Sequence, residues 1–201
     1  MSKELIRNIW AVGRNYADHA KELGNALPKE PLFFLKAGSS VQTGPELLLS
    51  SQLGEIHHEV ELAFKLDQNL RPTHFAIALD LTDRTAQTKA KAEGLPWTRA
   101  KSFKGACVLG EWKAFNETAD FYSQEIELKI NGEVRQKATL EQMIFKHNEL
   151  ITALDKNFPI VAGDILLTGT PSGVGPLKAG DQIECRIGSA LTASWLVKVQ
   201  A

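Results

Sequence analysis

Residues 55–64 read EIHHEVELAF, with Glu55, His57, Glu59 and Glu61 at alternate positions and Val60, Leu62 and Phe64 set against them. Side chains two apart on a strand share a face. The period therefore predicts a strand with one apolar side and a row of carboxylates on the other. Carboxylates about 7 Å apart repel unless a proton or a cation intervenes. A solvated sheet face would relieve the repulsion, but the apolar side implies that the segment is buried. Some compensating charge is expected beside Glu59 and Glu61.

A second apolar run, FAIALDL (75–81), carries Asp80 near its end, where a lone buried carboxylate would be costly. Glu59, Glu61 and Asp80 together make a hard, all-oxygen donor set, suited to Mg²⁺, Mn²⁺ or Ca²⁺ rather than to zinc or copper. His57 and His58 are adjacent, so on a strand they face opposite ways and at most one could join that set.

Around this pair of strands the pattern is β-rich. NIWAVG (8–13) reads as a short buried strand leading into a helix over RNYADHAKELG (14–24), where Ala17, Ala20 and Leu23 recur at helical spacing. LFFLK (32–36) is a short apolar run, and SSVQTGPE (39–46) is turn-rich. DRTAQTKAKAEG (83–94) is built of helix formers and stops at Gly94. EIELKINGEVRQ (125–136) alternates on both sides of Asn131-Gly132, a hairpin with a type I′ turn. A helix is expected over 140–157, and closing strands over 164–169, 181–188 and 191–199. Strands outnumber helices without regular βα alternation, so the expected class is α+β with mixed or antiparallel sheets and a few short helices. No linker divides the chain, and one domain over 1–201 is expected.

Three further segments offer chemistry. His19 and Glu22 lie three apart on the first helix and share a face, so the carboxylate could orient the imidazole as a general base. The alternative is a solvated surface pair. Lys101, in GLPWTRAKSFKG (94–105), is either a surface lysine or a cation facing an anionic substrate. LTGTPSGVGPLKAGD (167–181) lacks the Gly-Lys-Ser/Thr ending of a phosphate loop, and its N–H groups and hydroxyls suit a carboxylate better.

The chain has 201 residues, 43% hydrophobic and 23% charged, with a net charge of −1. No global field points to nucleic acid or to an anionic membrane. Cys107 and Cys185 form no CxxC and read as reduced core residues. The N-terminus lacks the apolar stretch of a signal peptide, and no apolar run approaches the ~18 residues of a membrane helix. A cytoplasmic protein without membrane or nucleic-acid partners is expected.

Taken in order, VGRNYADHAKELG, EPLFFLK, HHEVELA, ALDLTDR, GLPWTRAKSF, the NGE hairpin and ILLTGTPSGVGPLKAGD resemble the fumarylacetoacetate hydrolase (FAH) family, in particular its small acylpyruvase/oxaloacetate decarboxylase type. The resemblance implies the β-rich FAH catalytic roll, as a homodimer, acting on a small 2-oxo acid. It places the metal ligands on Glu59, Glu61 and Asp80, with Mg²⁺ the expected ion and Mn²⁺ or Ca²⁺ as alternatives. It places the His–Glu dyad on His19 and Glu22, the active-site lysine on Lys101, and substrate contacts on Arg84, Gln87 and Thr170. The implied reaction is acylpyruvate hydrolysis or oxaloacetate decarboxylation through a pyruvate enolate. Isomerisation or tautomerisation of an unsaturated oxo-dioic acid, or non-catalytic binding of a 2-oxo acid, are the alternatives. Two departures are visible: the segment from Glu61 to Asp80 is shorter than the family's, without a Gly-rich piece before FAIALD, and Asp83 and Thr85 stand where the family pattern has a small residue and then an acid around the Arg.

Overall fold

Val60, Leu62 and Phe64 are wholly buried, as the alternation requires, but the strand expected across this region is two strands that join different sheets. The computed structural model describes residues 6–22 and 27–200, without the side chains of residues 19–21.

The first strands are β1 (Asn8–Gly13), β2 (Leu32–Ala37), β3 (Val41–Gln42), β4 (Glu46–Ser50), β5 (Ile56–His58), β6 (Val60–Leu66), β7 (Pro72–Asp80) and β8 (Thr82–Asp83). They are followed by β9 (Cys107–Leu109), β10 (Lys113–Ala114), β11 (Glu125–Ile130), β12 (Glu133–Thr139), β13 (Ile165–Leu167), β14 (Gly175–Pro176), β15 (Gln182–Ile187) and β16 (Leu191–Gln200). The helices are α1 (Ala17–Glu22), α2 (Arg84–Glu93), α3 (Thr98–Lys101) and α4 (His147–Asn157).

The largest sheet runs β2-β1-β13-β6-β7-β9-β3, with β10 added to β7. A second runs β12-β11-β15-β16-β4, and β14-β5-β8 form a third. Most neighbours are antiparallel, while β1/β13, β3/β9 and β4/β16 are parallel. This is the mixed, β-rich α+β class expected. No helix among the described residues is long and apolar enough to cross a membrane.

Each face of the large sheet has its own packing. Val12, Leu62, Phe64 and Ile77 lie in one core with Leu128, Ile183 and Trp195 of the second sheet. The opposite parity of the same strands gives a smaller cluster rich in short side chains: Ile9, Ala11, Ala63, Ala76, Ala78 and Cys107. Glu61 and Asp80 share the parity of Ala63 and Ala78, and Lys36 is paired with Ile9. The charged residues therefore occupy the small-residue face.

The short connection from β6 to β7 is a tight turn. Asp67 Oδ1 accepts from Asn69 N–H at 2.8 Å and Arg71 N–H at 2.9 Å, and Leu70 takes a left-handed φ of 58°. The pairing shifts once, between Lys65 and Leu66, and then runs unbroken from Lys65↔His74 to Val60↔Leu79, next to Asp80.

Two helices are shorter than their periodicity predicts, for one shared reason. Asn15 donates through Nδ2 to Phe145 O (2.9 Å) and Thr168 O (2.8 Å), and its Oδ1 accepts from Phe145 N–H (2.8 Å). Tyr16 pairs as an isolated bridge with Met143. These long-range bonds hold 14–16 out of the helix expected over 14–24, so α1 begins at Ala17; residues 23–26 lie outside the described residues. They likewise divide the helix expected over 140–157 into a 3-10 turn, Leu140–Gln142, and α4. The strand expected over 164–169 ends at Leu167, because Gly169 takes a φ of 91°.

Candidate active site

The chain passes from the third sheet to the first at Glu59. Glu59 O still accepts from Asp80 N–H at 2.9 Å, extending the β6/β7 ladder by one step. Glu59 and Glu61 therefore project on the same side of one strand, and Asp80 projects beside them from the next. All three are buried, and their carboxylate oxygens lie within 4.8 Å of one another. His57 and His58 stay out of this cluster: His57 Nε2 meets Glu55 Oε1 at 2.6 Å, and His58 Nδ1 meets Gln136 Oε1 at 2.9 Å.

The compensating charge comes first from the protein. Lys101 Nζ donates to Glu59 Oε2 at 2.7 Å and to Asp80 Oδ2 at 2.6 Å. Burial alone would lower the Lys101 pKa, but Asp80 and Glu59 override it and raise it, so this ammonium stays charged. Arg84 Nη2 donates to Glu59 Oε1 at 2.9 Å, as does the Thr82 hydroxyl at 3.0 Å. Arg84 Nη1 donates to Gln87 Oε1 at 2.6 Å, leaving the Gln87 amide N–H groups free to point elsewhere.

Sequence reasoning missed Lys36. Wholly buried on β2, it donates to Asp80 Oδ1 at 2.5 Å and to Leu81 O at 3.3 Å. Its one mark in the sequence is that it closes the apolar run LFFLK; Leu32 and Phe34, of the same parity, are exposed and half-buried, so period two gives no sign of its burial.

Glu61 differs from its neighbours. Its described partner is a backbone donor, Gly169 N–H at 2.7 Å, and it has no ion pair among the described residues. Burial raises its pKa well above the ordinary value, and Asp80 and Glu59 raise it further. Gly169 earns its identity here, since a Cβ would lie 2.7 Å from Asn15 Cβ.

Local sequence places the remaining residues. Asp83 caps α2 by accepting from Ala86 N–H at 2.9 Å, and Gly94 ends the helix in the left-handed region, which sets Arg84 and Gln87 on the first turn. Thr170 reaches the same site, but its hydroxyl is committed within the protein: it donates to Val60 O and accepts from Gln136 Nε2, both at 2.8 Å. The hydroxyl has one proton, so a donor to substrate at this position must be the backbone N–H. The His19 imidazole lies outside the described residues. The Glu22 carboxylate accepts from Gly173 N–H at 3.1 and 3.2 Å, tying α1 to the loop that follows β13.

A cavity of about 40 Å³ opens on this cluster, lined among others by Arg14, Phe34, Arg84, Lys91, Trp97 and Thr170. Three buried carboxylates without sulfur or imidazole fit a hard divalent cation, and Glu61 in particular lacks a cationic partner among the described residues. Residues 8–195 match the family described as fumarylacetoacetate (FAA) hydrolase, C-terminal. The chain belongs to the fumarylacetoacetate hydrolase family.

Among its relatives in that family, the mitochondrial oxaloacetate decarboxylase of Dictyostelium discoideum is 42% identical over 198 residues, 92% of this chain and 90% of that one. Oxaloacetate tautomerase YcgM of Escherichia coli K12 is 40% identical over 190 residues, 89% and 87% of the two chains. The crystal structure of fumarylpyruvate hydrolase from Pseudomonas aeruginosa, in complex with Mn²⁺ and pyruvate, shares the FAH fold with a TM-score of 0.90. That match is at 28% identity and spans 100% of this chain and 93% of the other.

Proposed function

We propose that this chain is a divalent-metal-dependent enzyme of small 2-oxo acids that breaks a C–C bond to release a pyruvate enolate, by oxaloacetate decarboxylation, acylpyruvate hydrolysis or both. The observation that carries this reading is the buried Glu59–Glu61–Asp80 cluster with the Lys101 ammonium set against it. A single catalytic domain acting as a homodimer is the assembly that goes with it.

Glu59, Glu61 and Asp80 would hold Mg²⁺ or Mn²⁺, which when bound supplies Lewis-acid polarisation of the substrate's carboxylate and 2-oxo oxygens. The remaining work falls to the chain. After its bonds to Glu59 and Gln87, the Arg84 guanidinium keeps three N–H donors, enough to grip a carboxylate. The Gln87 amide, held by Arg84, adds a donor beside them.

In decarboxylation the C3–C4 bond breaks, its electron pair moves toward the 2-oxo oxygen, CO₂ leaves, and C3 then takes a proton. In hydrolysis His19 takes a proton from water, and the hydroxide attacks C4. Cleavage of C3–C4 then gives a carboxylic acid and the same enolate. Lys101, kept protonated by its carboxylate neighbours, stabilises the negative charge that develops on oxygen.

A second reading is favoured by the 40% identity to an oxaloacetate tautomerase. In that reaction the C3–H bond breaks, the 2-oxo oxygen takes a proton and no C–C bond is cleaved, with His19 as the proton carrier. Spectrophotometric turnover of oxaloacetate and acetylpyruvate, with and without chelator, tests the proposal. Loss of turnover in EDTA and its return with Mg²⁺ or Mn²⁺ is expected. Metal-replete protein that converts neither compound would overturn it.

A further inference from the structure

The cations around the cavity fall into two sets. Lys36, Lys101 and Arg84 are bonded to Glu59 or Asp80, three positive groups for the three carboxylates of the floor. Arg14 and Lys91 line the same cavity, yet neither is hydrogen-bonded or ion-paired with a described residue. The Lys91 ammonium lies 5.5 Å from the centre of the Trp97 ring, which can steer it without neutralising it. These two charges are in excess of what the described residues balance.

Arg14 is held in place at some cost. Its φ of 62° is a left-handed conformation that L-residues other than Asn, Asp and Gly seldom take. Asn15 fixes it, through the bonds to Phe145 and Thr168. Backbone strain enforced from next door is common where a side chain must be aimed. Lys91 projects from α2 two turns beyond Arg84, on the side that faces the cavity. Partial desolvation of its ammonium lowers its pKa, and Arg84 and Arg14 lower it further against the pull of Glu59, so the three cations crowd one another.

A divalent ion on the floor adds positive charge, and a substrate with one carboxylate on Arg84 and Gln87 removes only part of it. A second carboxylate would meet Arg14 and Lys91. We propose that Arg14 and Lys91 form a second carboxylate subsite at the mouth of the cavity, which selects 2-oxo dicarboxylic acids over 2-oxo acids with a neutral group at the far end. The subsite rests on the reading that the cavity takes a 2-oxo acid head.

The test compares stable probes that differ in one carboxylate. Calorimetry on the full chain with saturating Mg²⁺ gives the affinities of 2-oxoglutarate and 2-oxopentanoate for the wild type, Lys91→Met and Arg14→Asn. Asn tolerates the left-handed backbone, and Lys91 is exposed on a helix, so both variants are expected to fold. The wild type should prefer 2-oxoglutarate by about tenfold, the size of one partly exposed charge-assisted contact. In either variant the preference should fall below about threefold, while the affinity for 2-oxopentanoate stays within about twofold. Absence of a preference in the wild type, its persistence in both variants, or equal loss of both ligands would overturn the subsite. Oxaloacetate turnover in the same preparations judges the enzyme separately. A wild type that discriminates between the probes but turns over no oxo acid would sink the catalytic reading and keep the subsite.

Discussion

Lys36 Nζ stands 2.5 Å from Asp80 Oδ1, with both side chains fully shielded from solvent. Without Lys36, Asp80 keeps only Lys101, at 2.6 Å, and the buried cluster is one cation short; breaking a buried pair typically costs about 3–5 kcal/mol. Lys36→Met should therefore lose stability of that order in urea unfolding, and Lys36→Met with Asp80→Asn should recover part of it. A single variant within about 1 kcal/mol of wild type would show that the pair carries no such weight.

Glu61 allows the metal to be separated from the fold. Its pKa is raised first by burial, then by Asp80 and Glu59, so its charge opposes folding above the ordinary carboxylate range. Glu61→Gln in metal-free protein should be at least as stable as wild type. The rise in Tm that Mn²⁺ gives to wild type should be absent from this variant. An equal Mn²⁺-induced shift in both proteins would remove Glu61 from the ligand set.

The two cleavage reactions place different demands on His19. Water activation by a general base contributes typically ~10²–10⁴-fold, whereas decarboxylation needs no attacking water. His19→Ala should cut acetylpyruvate hydrolysis by that order and oxaloacetate decarboxylation far less, with Mg²⁺ affinity unchanged. Parallel losses in both reactions would mean that His19 does not activate water.

Two glycines in left-handed conformations should respond very differently to alanine. Gly173 has a φ of 93°, and a Cβ there would lie 1.9 Å from Arg135 O. Gly132 has a φ of 81° with nothing within 4 Å. Gly132→Ala should cost only the conformational penalty of about 1–2 kcal/mol. Gly173→Ala should cost clearly more and weaken the Glu22 contact to the same loop. Similar melting temperatures for the two variants would contradict the close approach of β12.

His147 sets an acid limit. Burial lowers its pKa below the ordinary value of 6.5, although Glu117 pulls it the other way. As pH falls from about 6.5 toward the lowered folded value, the unfolded chain binds more protons. Stability is therefore fully present above that window and is lost on acidification through it. Below about pH 6.5, the ordinary imidazole value, the dependence of unfolding free energy on pH should be shallower in His147→Gln. An unchanged slope would place the titrating group elsewhere.

Much of the local structure was written in the sequence. Alternation set Glu59 and Glu61 on one face, and Asn131-Gly132 made its hairpin with φ values of 53° and 81°. Asp83 and Gly94 bounded α2 as a capping residue and a stop signal should. These features depend on neighbours within a few positions, where backbone sterics and the period of the side chains decide.

The seven ordered motifs also sufficed to place the chain in its family. What pairs with what across the chain was decided only in three dimensions. Lys36 is 44 positions from Asp80, and no local pattern distinguishes a lysine that caps a strand from one that neutralises a buried carboxylate. Asn15 reaches 130 positions to Phe145 and overrides helical periodicity in two segments at once, because satisfied buried amide bonds outweigh a propensity of tenths of a kcal/mol per residue. The commitment of the Thr170 hydroxyl to Val60 and Gln136, and the release of Arg14 and Lys91 from any such partner among the described residues, follow from the same cause. Each polar group's role depends on which donors and acceptors the fold brings within about 3 Å of it.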